Sequence, residues 1–221
     1  MRHLFRLFTS LLVALCVSLP VSALDTPLSD EAVREAYFLG QRHDGSYPSL
    51  MGNYIKRTPA PKSGPHISSI TLLTPFIQLV ANSDRLIGNY SAQQAALDHR
   101  GQAEFVRIIV EIKLTPTYGA FLAPEPNSRS SPQSIPIPRP NDFWRDFQVQ
   151  ISEGDRLLMP SDSHGRANHN CGRHGYSCSL AGATIEFDLP ADAFNSDSAT
   201  IQVVPPEGDS VSVDFALTRL R

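Results

Sequence analysis

Residues 105–114 read FVRIIVEIKL. Val106, Ile108, Val110, Ile112 and Leu114 alternate with Arg107, Ile109, Glu111 and Lys113. Successive side chains of a strand point to opposite faces, so this period of two builds one aliphatic face and one mostly charged face. Such a strand is half-buried, with one side on a core and the other in water. That pattern belongs to an antiparallel sheet with one solvated face.

Downstream, the same signal recurs. Phe147, Val149 and Ile151 alternate, and further strands are predicted near 183–189, 199–204 and 210–217. Pro205-Pro206-Glu207-Gly208-Asp209 supplies a turn, so Ile201 and Val203 should face Val211, Val213 and Phe215 across a hairpin. Strands separated by turns, not by helices, predict a mainly β protein, an antiparallel β-sandwich over residues 66–221. Residues 123–140 carry six prolines and read as a surface loop within that domain.

Upstream the period changes. In SDEAVREAYFLGQRH, residues 29–43, Ser29 can cap a helix and Asp30 and Glu31 suit its positive end. Val33, Ala36, Tyr37 and Gly40 share one face of it. A second short helix is expected around Ser49–Lys56, and RTPAPKSGP, residues 57–65, cannot continue one. Residues 24–65 therefore read as an N-terminal helical arm followed by a Pro-rich linker. One or two short helices are added within 66–101. PFIQLVANSDRL fits either period, with Thr74 and Pro75 favouring helix. SAQQAALDHRG has a capping box at Ser91 and Gln94, and Gly101 as its stop. An alternative reading has the apolar face of the 29–43 helix packing on a partner.

Residues 1–23, MRHLFRLFTSLLVALCVSLPVSA, read as an address. Arg2 and Arg6 precede an apolar core at 11–19, and Val21-Ser22-Ala23 is a small-residue cleavage site. The expectation is a secretory signal peptide; the alternative is an uncleaved anchor. No second apolar run is long enough to span a membrane, so no transmembrane helix is expected after cleavage. The protein is expected in the periplasm, on the cell surface or in the medium. Composition excludes other classes. With 41% hydrophobic residues among 221, the chain is not wholly disordered. A net charge of −3 gives no basic field for nucleic acid.

One polar segment concentrates chemistry: SDSHGRANHNCGRHGYSCSL, residues 161–180. Its glycines and asparagines predict a loop between strands. Cys171 and Cys178 are expected to form a disulfide, given export into an oxidising compartment. The competing reading is a zinc site built from His164, His169, Cys171, His174 and Cys178, or from the three histidines with the disulfide kept. Phe143, Trp144 and Phe147 form an aromatic cluster that either joins the core or contacts a ligand. No G-x-S-x-G elbow, H-E-x-x-H, P-loop or dinucleotide fingerprint is present.

At Tyr37-Phe38-Leu39-Gly40-Gln41-Arg42 and Tyr90-Ser91-Ala92-Gln93-Gln94-Ala95 the chain resembles a group of uncharacterised exported bacterial proteins. The resemblance runs from Leu28 to about Leu122 and more loosely beyond. It implies bacterial export and carries no activity or ligand with it. The functional expectation is a non-catalytic binding or cell-envelope interaction module whose partner is a protein, peptide or glycan. No cofactor is expected. The alternative is an exported metal-dependent enzyme using the His/Cys segment at 164–178.

Overall fold

The computed structural model describes residues 24–42, 44–85, 90–122, 136–172 and 178–221. The signal segment at 1–23 and residues 123–135 of the Pro-rich loop lie outside the described residues. Two antiparallel sheets face each other. The first has the order β1-β2-β3-β7-β6 and the second β5-β4-β8-β9. These strands are β1 (Ile55–Arg57), β2 (His66–Leu73), β3 (Phe105–Lys113), β4 (Gln148–Glu153) and β5 (Arg156–Leu158). They continue with β6 (Asp162–Cys171), β7 (Cys178–Pro190), β8 (Ser198–Val204) and β9 (Val211–Ala216). The fold is the antiparallel sandwich that the alternation at 105–114 predicts.

β3 occupies the centre of the first sheet. Val106, Ile108, Val110 and Ile112 face inward and lie opposite Leu189, Phe187, Ile185 and Ala183 of β7. In the second sheet, Ile151 of β4 pairs with Ile201 of β8, and Ile201 pairs with Val213 of β9. The inner faces of both sheets merge into one core.

Four helices lie among the described residues: α1 (Asp30–Gly40), α2 (Ser46–Met51), α3 (Pro75–Asp84) and α4 (Ala92–His99). Three have side-chain caps. Ser29 accepts from the Ala32 amide, Thr74 from Ile77 and Ser91 from Gln94. Pro75 sits in the first turn of α3, where its missing N–H costs nothing. The ambiguous segment after Thr74 is thus a helix. α3 and α4 form the connection between β2 and β3. Gln78 of α3 bridges its two ends, donating to the carbonyls of Leu73 and Phe105 at 3.1 and 2.8 Å.

The segment 24–65 is woven into this body. Leu24, Leu28, Val33 and Ala36 belong to the common core, and β1 pairs with β2 through Ile55↔Thr71. α1 packs on α3 and α4 of its own chain, so its apolar face is already covered. The expected helix at Ser49–Lys56 is displaced. α2 ends at Met51, and the β-branched Ile55 opens a strand instead. Tyr54 joins this region to the C-terminal end: its hydroxyl takes the Arg221 amide at 3.0 Å and donates to the Arg221 main-chain oxygen at 3.1 Å.

α1 and α3 meet at Gly40. A Cβ there would lie 2.3 Å from the Val80 carbonyl oxygen and 2.8 Å from the Ser83 Cβ. Both obstacles are parts of a packed helix and cannot swing aside. Gly40→Ala should cost about 1–3 kcal/mol despite the better helix propensity of alanine, read as a lower denaturant midpoint at unchanged slope.

Tyr90 caps the other side of this cluster. Its hydroxyl donates to Asp98 Oδ2 at 2.7 Å, and burial followed by the Asp98 carboxylate pushes the phenol up to about 12. The unfolded phenol titrates near 10.0. The stabilisation is therefore complete below pH 10 and lost as pH rises through the folded value. An alkaline absorbance titration at a phenolate wavelength should show Tyr90→Phe removing one late-titrating phenol.

Candidate functional site

Within the polar segment, residues 162–171 are strand and not loop. Asp162–Cys171 is strand β6, paired along its length with β7. The sequence signal fails because β6 is an edge strand with most side chains exposed, so no burial imposes an apolar period. Ten residues of it pair on one side only. Among the described residues no strand pairs with its other edge.

Cys171 and Cys178 are opposite each other in the register, with Cα atoms 4.0 Å apart, and are joined by a disulfide. With the sulfurs joined, neither is available as a thiolate ligand in this structure. His164 and His169 lie on β6 on either side of the bulge between Asn168 and His169. His174, which the three-histidine alternative requires, lies outside the described residues. Among the described residues no group of three histidine, cysteine, aspartate or glutamate side chains is placed to hold a metal ion.

The solvated face beside this edge is cross-linked by polar contacts. Arg107 of β3 makes a bidentate pair with Asp188 of β7, at 2.7 and 2.8 Å. His164 Nε2 is 3.5 Å from Glu186, and Asn168 donates to Thr184 at 2.9 Å. These contacts fix side-chain positions more than they add stability, since each is at least partly open to water.

The aromatic cluster divides. Phe143 and Phe147 are buried and pack edge-on against each other and around Tyr118. Both side chains belong to the core. Trp144 is only partly buried and lies under β6. A Cβ at Gly165 would stand 2.4 Å from the Trp144 ring, so glycine at that position is what lets the indole approach the strand. Arg145 stacks over the same ring at 5.2 Å.

A second constellation escaped the sequence reading. Glu104, one residue before β3, is buried with its side chain 8% exposed. Its Oε1 accepts from the Leu28 amide at 2.7 Å and lies 2.8 Å from His99 Nε2. Its main-chain oxygen accepts from the Ala191 amide at 3.1 Å. Three segments distant in sequence thus converge on one glutamate. In the sequence it is a lone acid between a helix stop and a strand, which ordinarily stays in water. Nothing local marks it as buried.

Removal of the disulfide tests what holds β6 in place. The loop it closes is short, so chain entropy limits its contribution to about 2.5 kcal/mol. The double variant Cys171→Ser/Cys178→Ser should lose no more than that. Amide exchange should accelerate in β6 and the first residues of β7 while β3 keeps its protection. Compared with known proteins, the chain matches no protein-family model and no curated protein.

Proposed function

We propose that this protein is an exported, non-catalytic binding module that takes an extended segment of a partner protein along the free edge of β6. Support for export comes from the charged, apolar and small-residue order of residues 1–23 and from the resemblance of residues 28–122 to exported bacterial proteins. One observation carries the binding reading: a ten-residue strand that ends its sheet. Its outward N–H and C=O groups offer main-chain hydrogen bonds to a further strand, which is how extended peptides add to a sheet.

The remaining edges are shorter. β1 and β5 have three residues each and β9 has six. The register against β7 shifts between Asn168 and His169, where β7 carries the extra residue Ala181, and the longest run of even register, residues 162–168, is where a partner strand lies. On one side its residues meet Trp144; on the other they meet His164 and Arg166. An amphipathic extended segment fits, with apolar residues alternating with polar or acidic ones.

Panning a random peptide display library on residues 24–221, followed by hydrogen exchange of the best binders, tests the reading. Enriched peptides should slow exchange of alternate amides in 162–168 and lose at least tenfold in affinity with Trp144→Ala. Peptides that bind while leaving β6 exchange untouched would overturn it.

A further inference from the structure

Among the described residues, Glu153 and Glu104 have carboxylate side chains only 1% and 8% exposed, and their environments differ. Glu153 is fully used: Oε1 accepts from the amides of Asn195 and Ser196 at 2.9 and 3.1 Å, and Oε2 pairs with Arg156. Glu104 is half used. Oε1 has two partners, whereas Oε2 is buried with no hydrogen-bond partner. A buried carboxylate oxygen whose lone pairs meet no donor is costly to keep. Retention of such an atom beside a cleft marks a place where a donor is missing.

Three clefts adjoin this residue, and Glu104 and Gln102 line all of them. The largest, about 350 Å³, lies between the N-terminal segment at Thr26-Pro27 and the end of β7 at Pro190–Asp192. Its walls are Pro27, Ala103, Pro190 and Ala191, and its charged groups are Glu104 and Asp192. Among the described residues no lysine, arginine or histidine lines it. The basic groups of the adjoining cleft, His99 and Arg100, are occupied. His99 is bonded to Oε1 on the far side of the carboxylate, and Arg100 is paired with Asp30 at 3.1 Å.

We propose that this cleft binds a small organic cation, its ammonium head on Glu104 Oε2 and Asp192 and its apolar body between Pro27 and Pro190. An ammonium supplies the donors that Oε2 lacks, and two carboxylates in the lining disfavour an anion. Oε2 is shielded from solvent. Gln102 lines the cleft as an exposed residue whose side-chain amide donates to the Asp98 carbonyl, and in this proposal it is the wall that yields to the ligand. This site is independent of the β6 edge.

The test is an NMR titration of residues 24–221 with n-butylammonium, with n-butanol and butyrate as neutral and anionic controls. The ammonium should give saturable shifts at the amides of Leu28 and Ala191, with an affinity on the order of millimolar. The two controls should bind at least tenfold more weakly. Glu104→Gln should weaken binding at least tenfold and Asp192→Asn a few-fold. Asp209→Asn, outside the cleft, should have no effect. Equal binding of butanol, or non-saturating shifts spread over exposed acids, overturns the proposal. Should Glu104→Gln fail to fold, Asp192→Asn decides alone, and unchanged affinity in that variant also overturns it.

Discussion

The inward face of β3 is the constraint on which the rest of the fold depends. Val106, Ile108 and Val110 are 0% exposed and Ile112 is 1% exposed. Burying a side chain of this kind is worth about 1.5–3 kcal/mol. The same four residues also fix register. A slip of one residue would drive Arg107, Glu111 and Lys113 into the core and cost several kcal/mol for each unpaired charge. β2 and β7 flank β3 on both sides, so their registers follow from the same exclusion.

The helices depend on this strand in turn. α3 and α4 fill the connection between β2 and β3, and Gln78 spans its ends. α1 then packs on them through Gly40, and Glu104 at the entrance to β3 holds the amide of Leu28 just before α1 begins. One strand start therefore positions the N-terminal segment, the end of α4 and, through the Ala191 amide, the exit of β7. The read arm at 24–65 joins the sandwich because its apolar positions have a partner within the chain.

What was legible in the sequence follows the same physics. β3, β8 and β9 announce themselves because a buried face enforces a period of two, and α1, α3 and α4 because their caps are local. The disulfide was legible from two cysteines close in sequence. β6 was not: an edge strand of DSHGRANHNC carries no face that must be apolar, and its glycine reports Trp144, not a turn. The split of the aromatic cluster was equally hidden, since Phe143 and Trp144 are neighbours in sequence and part only in three dimensions. Burial of Glu104 depends on Leu28, His99 and Ala191 together, which no sequence window contains.

An edge strand that contributes little apolar burial must be held by other means. β6 has a covalent clamp at Cys171–Cys178, a side-chain bridge from Asn168 to Thr184, and at its start the Ser161 amide and hydroxyl both donating to the Asp188 carbonyl at 2.8 Å. These restraints act at the two ends and the middle of the strand. They also bear on Asp188, whose carboxylate is fixed by Arg107 from the central strand. The position of β6 is thus referred back to β3 through polar contacts, while its own side chains owe nothing to the core. That separation leaves His164 and Arg166 free to vary in chemistry without cost to folding. A surface that recognises a partner needs that freedom, and the aliphatic face of β3 cannot supply it.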